Sequence, residues 1–243
     1  MCSKVWLGHE PELQDYLRTA KIVKIEDVPI GVTKPKRAYF ESDGTIRSAA
    51  WKPLSPGMRK GFMESYKAEI AAYEMDKLLG LRMVPPYVER RIDGDLGALA
   101  FWIENVHAWK IDKPVRGPDA IAWDRQVVDM KMFDQLIGNG DRNQGNLLYD
   151  DEYHLFLIDH SRAFTSDKSI KKMAKLTRVD RELWEKMLAL DEAQIEAALG
   201  TWCDKSRRKA ILQRRDEMKK AIDALVAEKG EAAVFLPSRA PGT

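Results

Sequence analysis

In the first hundred residues, apolar and polar residues alternate in short runs, which is the pattern of half-buried β-strands. One run covers residues 21–30 and ends at Gly31. Two further runs, RAYFE and TIRSAAWK, flank Ser42-Asp43-Gly44, and an Asp-Gly between such runs indicates a hairpin. The segment VPPYVERRIDGDLGALAFWIENV predicts two more strands around a second Asp-Gly turn. We therefore expect a sheet of five strands with one helix inserted after the third.

The inserted helix is predicted over residues 65–79. Its apolar residues recur at the helical period and give it one buried face. They are Ala68, Ala71, Ala72, Met75, Leu78 and Leu79. Ser65 is a favourable cap, because its hydroxyl can accept an N–H that the first helical turn leaves unpaired. Gly80 supplies a stop, and Pro85-Pro86 rule out continuation, so the helix ends before the fourth strand.

From about Gly117 the spacing of apolar residues becomes helical. An apolar stripe over residues 123–137 stops at Gly138, and the loop GNGDRNQGN follows it. Two short strands, LLY and HLFLID, are predicted around Asp150-Asp151.

The chain after about residue 179 predicts amphipathic helices, with Asp191 and Ser206 as candidate caps. The two halves together predict an α+β protein with two lobes. The β-rich N-lobe, with five strands and one helix, would span residues 1–105. The mainly helical C-lobe would span residues 106–243, because the composition shifts near this boundary.

The composition narrows the class of protein. Of 243 residues, 44% are hydrophobic and 32% are charged, which is ordinary for a globular protein with a sizeable core. Forty basic residues against 38 acidic ones leave a net charge of +2. This balance gives no reason to expect a nucleic acid or an anionic membrane surface as a partner.

Neither a zinc site nor a targeting segment is expected. The two cysteines, Cys2 and Cys203, lie far apart and form no zinc-ligand spacing with the four histidines. The N-terminal MCSKVWLGHEPELQ lacks the apolar region of a signal peptide, and the longest uncharged run, residues 96–103, is too short for a membrane span. The sequence therefore predicts a soluble, cytoplasmic protein without stable membrane insertion.

The stretch Asp141-Arg142-Asn143-Gln144-Gly145-Asn146, with Asp159 downstream, is the most informative part of the chain. Phosphoryl transfer needs a carboxylate that orients the attacking hydroxyl and oxygen ligands that hold Mg²⁺ on the phosphates of ATP. Each residue alone would more often form a turn. The hairpin LLYDDEYHLFLID, however, is expected to bring Asp159 back beside Asn146. The sequence thus predicts Asp141 as the catalytic residue and Asn146 and Asp159 as metal ligands.

A lysine and a glutamate upstream complete the predicted centre. Lys52 closes the third strand, and Glu69 lies on the helix that follows. A strand lysine held by a helix glutamate is how kinases direct an ammonium group at the α- and β-phosphates. Glu74 on the same helix is the less favoured partner. The loop of residues 31–36 is a candidate cover for the nucleotide, although it is not a Gly-x-Gly-x-x-Gly sequence.

These strings resemble a known group of enzymes. DQLIGNGDRNQGNLL, followed by LFLIDHSRAF, resembles the catalytic and metal-binding loops of the phosphatidylinositol 3-/4-kinase-like group, which includes type II phosphatidylinositol 4-kinases and bacterial relatives. HipA-type and four-jointed-like atypical kinases are more distant relatives. SYKAEIAAYEMDKLLGLRMVPP resembles the helix and following strand, and AAWKP the lysine strand. The matches span residues 30–164 in the correct order. They imply a two-lobed, minimal and atypical protein-kinase-like fold that binds ATP and Mg²⁺.

The resemblance implies the same roles for the catalytic, lysine-strand and metal-binding residues. It also implies that FWIENV is the hinge between the lobes, where backbone groups of Glu104 and Val106 would meet adenine. The chain departs from the group at two positions. Asn143 stands where many relatives have histidine, and Ser161 stands where many have glycine. Neither departure removes a metal ligand.

Three further residue sets are expected to be structural. Asp134 would brace the catalytic loop from its helix, and His160 would pack locally instead of acting as a base. The basic face of residues 206–230 would be solvated.

The expected activity is transfer of the γ-phosphoryl group of ATP to a hydroxyl group. The lipid-kinase relatives suggest an inositol-like acceptor, and the HipA-type and four-jointed-like relatives suggest a protein. The lack of a membrane-binding helix favours a protein or a small soluble acceptor. Two alternatives stay open, a nucleotide-binding pseudokinase and an AMP-transferring enzyme on the same fold.

Overall fold

The computed structural model describes residues 4–28, 35–41, 46–110, 115–171 and 174–238. Most of the expected nucleotide-covering loop, and the Ser42-Asp43-Gly44 turn, lie outside these ranges.

Seven helices and ten strands run through the described residues. The helices are α1 (Glu10–Thr19), α2 (Tyr66–Leu79), α3 (Ala120–Ile137), α4 (Arg181–Ala189), α5 (Glu192–Leu199), α6 (Lys205–Lys229) and α7 (Glu231–Val234). The strands are β1 (Ile22–Asp27), β2 (Lys36–Phe40), β3 (Ser48–Lys52), β4 (Gly57–Arg59), β5 (Phe62–Glu64), β6 (Tyr87–Ile92), β7 (Asp95–Phe101), β8 (Val106–Ala108), β9 (Leu147–Asp150) and β10 (Leu155–Leu157).

Five strands of the first half form one antiparallel sheet in the order β1-β2-β3-β7-β6. These are the five strands that the alternating pattern predicts. The β6–β7 turn consists of Asp93 and Gly94, which have φ angles of 52° and 91°. Two central residues with positive φ match the twist of the strands, so this Asp-Gly pair sets the register of the hairpin.

The predicted helix is confirmed as α2, with both of its signals in place. The hydroxyl of Ser65 accepts the N–H of Lys67 at 3.0 Å. Gly80 ends the helix in the left-handed region at φ 64°. The side chain of Asp76 then accepts the N–H groups of three residues that follow the helix, at 2.8–2.9 Å. This cap fixes the direction in which the chain leaves α2.

The expectation of a single helix in the first half is wrong, because α1 precedes the sheet. Its sequence is mostly polar, and Leu17 is its one fully buried residue among those described. Leu17 packs against the outer face of the sheet, which includes Trp51 and Leu99. Arg90 donates to the carbonyls of Leu17 and Ala20 at 2.7 and 2.5 Å. The helix is therefore held by long-range contacts that its own periodicity does not show.

The β4–β5 hairpin is also absent from the sequence prediction. It is too short to show an alternating pattern, and its turn consists of Lys60 and Gly61, with φ angles of 50° and 83°. It occupies the connection between β3 and α2.

The second half combines a small sheet with helices. The strands β10, β9 and β8 form an antiparallel sheet, and α3 ends at Gly138 with φ 69°. Asp191 caps α5 as predicted. The cap of α6 is Asp204 and not Ser206, because the Asp204 carboxylate accepts the N–H of Arg207 at 3.0 Å. The predicted lobe boundary after residue 105 falls between β7 of the large sheet and β8 of the small one.

One hydrophobic core joins the two halves. It includes Ile70 and Met75 of α2, Phe133 and Leu136 of α3, and Leu199 of α5. Helix α2 is thus packed against C-terminal helices on one side and the sheet on the other. None of the helices in the described ranges is both long and apolar enough to cross a bilayer.

Gly97 of β7 allows the end of β3 to approach closely. A Cβ atom at residue 97 would lie 2.6 Å from the carbonyl oxygen of Lys52 and 2.8 Å from Cα of Pro53, both of which are backbone atoms. We expect Gly97→Ala to displace the end of β3 and lower the free energy of unfolding by about 1–3 kcal/mol. Chemical denaturation monitored by circular dichroism measures this change.

Gly57→Ala is the matched control. Gly57 also lies in a strand, but a Cβ there would meet its nearest neighbours at 3.7 and 4.0 Å, which is ordinary contact. An equal loss of stability in both variants would show that the close approach at Gly97 has no special cost.

Candidate functional site

Lys52 lies at the centre of a buried charge cluster. Its neighbour Trp51 faces the α1 side of the sheet, so the alternation of β3 turns Lys52 towards the α2 side. Lys52 Nζ lies 2.5 Å from Oε1 of Glu69 and 3.0 Å from Oδ1 of Asp159. The Glu69 side chain is fully buried, and that of Lys52 is 11% exposed. The strand, the helix and the loop after β10 therefore meet at one ammonium group.

Lys52 and Asp159 stabilise each other's charges. Burial lowers the pKa of Lys52, but the carboxylates of Glu69 and Asp159 outweigh burial and raise it overall. Burial likewise acts to raise the pKa of Asp159, but Lys52 and Ser161 hold it below its ordinary value. Burial raises the pKa of Glu69 in spite of its ion pair. Lys52 is therefore a charged ammonium, and Asp159 a carboxylate, at neutral pH.

Asp159 adopts a left-handed backbone conformation, with φ 57°. Its Oδ1 atom also accepts a hydrogen bond from the Ser161 hydroxyl at 3.0 Å. Ser161 itself is not among the residues with positive φ, so the backbone has no need of the glycine that many relatives carry there. The departure at Ser161 is thus compatible with the loop conformation.

Asn146 lies beside the same loop. Its carbonyl oxygen accepts the N–H of Ile158 at 3.2 Å, and its Nδ2 donates to the carbonyl of Asp141 at 3.3 Å. Asn143 accepts the N–H of Gly145 at 3.0 Å and shapes the turn between Asp141 and Asn146. The structure therefore brings the three predicted loop residues into two adjacent segments joined by hydrogen bonds.

Arg142 holds these two segments together. It donates two bonds to the Asp134 carboxylate, at 2.9 and 3.0 Å. It also donates to the carbonyls of Asn146 and Ile158, at 3.0 and 2.9 Å. A guanidinium group can make these bonds at once because its donors form a rigid planar fork. The expectation that Asp134 braces the catalytic loop agrees with this arrangement, and Arg142 is the intermediary that the sequence did not show.

His160 is fully buried and lies against Phe133. Burial, followed by the charges of Arg142 and Lys52, holds the pKa of His160 well below its ordinary value. The imidazole is therefore neutral and accepts from Arg142 through Nε2, at 2.8 Å. This agrees with the expectation that His160 packs locally.

The end of β5 and the start of α2 are bonded to three consecutive residues of the loop after β10. The His160 N–H donates to Glu69 Oε2 at 2.8 Å, and the Ser65 N–H donates to the Ser161 carbonyl at 3.0 Å. Arg162 Nε donates to Glu64 Oε1 at 2.8 Å. The position of Glu69 relative to Asp159 is therefore fixed by the backbone as well as by Lys52.

Asp141 lies at the rim of the cluster, and its side chain is 43% exposed. Its Oδ2 atom lies 3.1 Å from Nη1 of Arg162. No sequence pattern indicates a role for Arg162. Its partner Glu64 is 98 residues away in the sequence, so no local spacing could reveal the contact.

Of the two predicted hinge residues, Glu104 lies between the two sheets and Val106 is the first residue of β8. The Glu104 side chain binds Arg37 of β2 at 2.5 Å, and Arg37 stacks on Trp102 at 4.1 Å. The Trp109 N–H donates to Leu147 of β9. Because bonded positions alternate along an antiparallel pair, Val106 falls at a position whose backbone groups face away from β9. This orientation is compatible with contact to a nucleotide base.

The donor set of the site suits Mg²⁺. Asn146 and Asp159 offer amide and carboxylate oxygens, which are hard ligands. Within the described ranges, no group of three or more His, Cys, Asp or Glu side chains gathers as a metal site. Mg²⁺ bound with a nucleotide needs no such cage, since phosphates and waters complete its coordination.

A cavity of about 410 Å³ is lined by the loop before β9 and by Trp109, Met130 and Gln135. Lys52, Asp141 and Asp159 do not line it. It is therefore separate from the charge cluster.

No protein-family model matches this chain, and no curated protein matches it. Its fold, however, is similar to solved structures of kinases. The match to a golgi casein kinase covers 94% of this chain and 79% of the kinase chain, with a TM-score of 0.72 and 15% identity. A hydra Fam20 structure with sugar matches 96% of this chain and 93% of its own chain, with a TM-score of 0.70 and 16% identity. The Helicobacter pylori proinflammatory kinase CtkA matches 88% of this chain and 96% of its own chain, with a TM-score of 0.55 and 13% identity.

These similarities confirm the α+β, protein-kinase-like fold. They do not single out the phosphatidylinositol 3-/4-kinase-like group, so that narrower resemblance stays a prediction. The cytoplasmic location stays a prediction as well.

We expect Lys52→Met to destabilise the protein in a pH-dependent way. Without the ammonium group, Glu69 is a buried carboxyl whose pKa is raised, so the folded state binds a proton more readily than the unfolded state. The folded state is then favoured at low pH, and this advantage is lost as pH rises through the raised pKa. The difference in thermal midpoint between variant and wild type should be larger at about pH 8 than at about pH 5.

Lys219→Met is the control, because Lys219 pairs with Asp223 at 2.7 Å while both side chains are exposed. The same pH dependence in Lys219→Met, or none in Lys52→Met, would contradict the assigned electrostatics.

We also expect Arg142→Lys to lower the free energy of unfolding by about 3 kcal/mol, because one ammonium group cannot replace the fork and leaves the buried Asp134 and two carbonyls under-satisfied. Urea denaturation measures this loss. Arg215→Lys serves for comparison, since Arg215 also binds a carbonyl and a carboxylate but lies on α6. Equal losses in the free energy of unfolding for the two variants would show that Arg142 does not organise the two loops.

Proposed function

We propose that this protein is an ATP- and Mg²⁺-dependent phosphotransferase, an atypical kinase, that transfers the γ-phosphoryl group of ATP to a hydroxyl. The observation that carries the proposal is the contact of Lys52 with both Glu69 and Asp159, at 2.5 and 3.0 Å. It joins a cation to the loop after β10, which lies beside the loop of Asp141 and Asn146, and together these are the groups that phosphoryl transfer requires.

Each side chain has a distinct task in this proposal. Lys52, held by Glu69, would bind the α- and β-phosphates. Asn146 and Asp159 would hold Mg²⁺, which neutralises charge on the phosphates when it is bound. Backbone groups of Glu104 and Val106 would contact the adenine.

Asp141 would accept the proton of the acceptor hydroxyl. The acceptor oxygen forms a bond to the γ-phosphorus, and the bond from that phosphorus to the β–γ bridging oxygen breaks, so ADP leaves with the bond's electron pair. The exposure of Asp141 supports this task, because an acceptor can reach its carboxylate from solvent. The histidine that many relatives have in place of Asn143 is not needed for this step, because the Asp141 carboxylate is itself the base.

The acceptor is a hydroxyl of a protein or of a small soluble molecule. Two structural neighbours are named casein kinases, which makes a protein the first acceptor to test. One of them was solved with Mn/ADP bound, and this supports a divalent metal with a nucleotide as the cofactor pair here. Membership in the phosphatidylinositol 3-/4-kinase-like group is part of the proposal.

The test uses ATP labelled either on the γ- or on the α-phosphate, with Mg²⁺ and casein or the chain itself as acceptor. We expect wild type to transfer the γ-label and not the α-label. Asp141→Asn keeps the shape of the side chain but cannot accept the proton, so transfer should fall by at least about 100-fold.

Two results would overturn the proposal. Transfer of the α-label would identify an AMP-transferring enzyme. No transfer to protein or small hydroxyl acceptors by wild type, together with an equal rise in melting temperature on addition of MgATP in wild type and in Asp141→Asn, would identify a pseudokinase. Asp15→Asn is the control for the charge change, because Asp15 lies exposed on α1.

A further inference from the structure

The carboxylate of Asp141 is paired with a cation that the proposed function does not use. Arg162 Nη1 lies 3.1 Å from Asp141 Oδ2. The pair occupies one carboxylate oxygen, and the side chain stays 43% exposed, so an acceptor hydroxyl can still reach it. A guanidinium group at this distance restricts the rotation of the carboxylate.

The other side of Arg162 is held by the β4–β5 hairpin. Its Nε and Nη2 atoms lie 2.8 and 2.7 Å from Oε1 of the buried Glu64. Its Cζ atom lies 4.4 Å from the centre of the Phe62 ring, which gives a cation–π contact. Phe62 and Glu64 lie two positions apart in β5, so their side chains share one face of the hairpin. This face therefore holds the guanidinium group through an ion pair with Glu64 and a cation–π contact with Phe62.

We propose that Arg162 is a positioning residue for the catalytic carboxylate, and that the β4–β5 hairpin is the element that sets the position of Arg162. The inference rests on the proposed function, because it takes Asp141 as the group that orients the acceptor. It assigns a task to a hairpin that lies between the lysine strand and α2 and contributes no direct ligand to the centre.

The geometry favours positioning over blocking. Arg162 is fixed by Glu64 and Phe62 independently of Asp141, so the guanidinium group stays in place when an acceptor binds. A fixed partner keeps the carboxylate in one orientation, and small errors in orientation cost large factors in rate. Arg162 forms no described hydrogen bond or ion pair with Lys52, Asn146 or Asp159 and interacts with Asp159 only electrostatically, so the affinity for ATP should depend little on it.

The test compares steady-state kinetics of Arg162→Gln, Arg162→Lys and Phe62→Ala with wild type. We expect Arg162→Gln to lower kcat by about 10- to 100-fold and to leave KM for ATP unchanged. Arg162→Lys keeps the charge but cannot bind Glu64 and Asp141 through one planar group. Its kcat should therefore lie between those of wild type and Arg162→Gln. Phe62 is 53% exposed, and Phe62→Ala should fold normally and lower kcat by about 2- to 5-fold.

Arg181→Gln is the matched control. Arg181 also stacks on an aromatic ring, that of Phe235 at 4.0 Å, and pairs with a glutamate, Glu231, at 3.2 Å. It lies on α4, away from the charge cluster. Its replacement should leave kcat and KM unchanged. Thermal melts of all variants check that differences in kcat are measured on folded protein.

The outcomes separate this inference from the proposed function. Unchanged or increased kcat in a folded Arg162→Gln, with wild type active and Asp141→Asn inactive, overturns the inference and leaves the proposed function standing. A raised KM for ATP with unchanged kcat overturns it as well, because Arg162 would then be a nucleotide contact. Wild type without turnover overturns both.

Discussion

The buried ammonium group of Lys52 is the constraint on which the site depends. A charge out of water must be compensated, and Glu69 and Asp159 do so from two different parts of the chain. The contact therefore fixes β3, α2 and the loop after β10 relative to one another. The rest of the first half supports this junction. Gly97 admits the backbone of Lys52, and the core shared by α2 and the C-terminal helices keeps Glu69 in place.

A second cation organises the opposite side of the site. Arg142 binds Asp134 and the carbonyls of Asn146 and Ile158, so one planar group aligns the loop before β9 with the loop after β10. Arg162 connects this side to the hairpin before α2. The two halves of the chain thus meet through charges held at fixed geometry.

The sequence predicted the elements whose signals are local. The alternation of the five strands, the Ser65 and Gly80 ends of α2 and the loop spacing of Asp141 and Asn146 all depend on neighbouring residues. The sequence did not predict α1, because its polar sequence is stabilised by Arg90 and by the outer face of the sheet. It also missed the tasks of Arg142 and Arg162, whose partners are brought near only by the fold. The prediction of Ser206 as the cap of α6 is wrong, because Asp204, another good capping residue two positions earlier, caps the helix.

A crystal structure with a non-hydrolysable ATP analogue and Mg²⁺ would show directly whether Lys52, Asn146 and Asp159 bind the nucleotide and its metal ion. We expect a triphosphate beside Lys52, a metal ion bound by Asn146 and Asp159, and the γ-phosphate facing Asp141. Adenine should meet the backbone between Glu104 and Val106. A nucleotide bound elsewhere, or a metal ion that touches neither Asn146 nor Asp159, would contradict it.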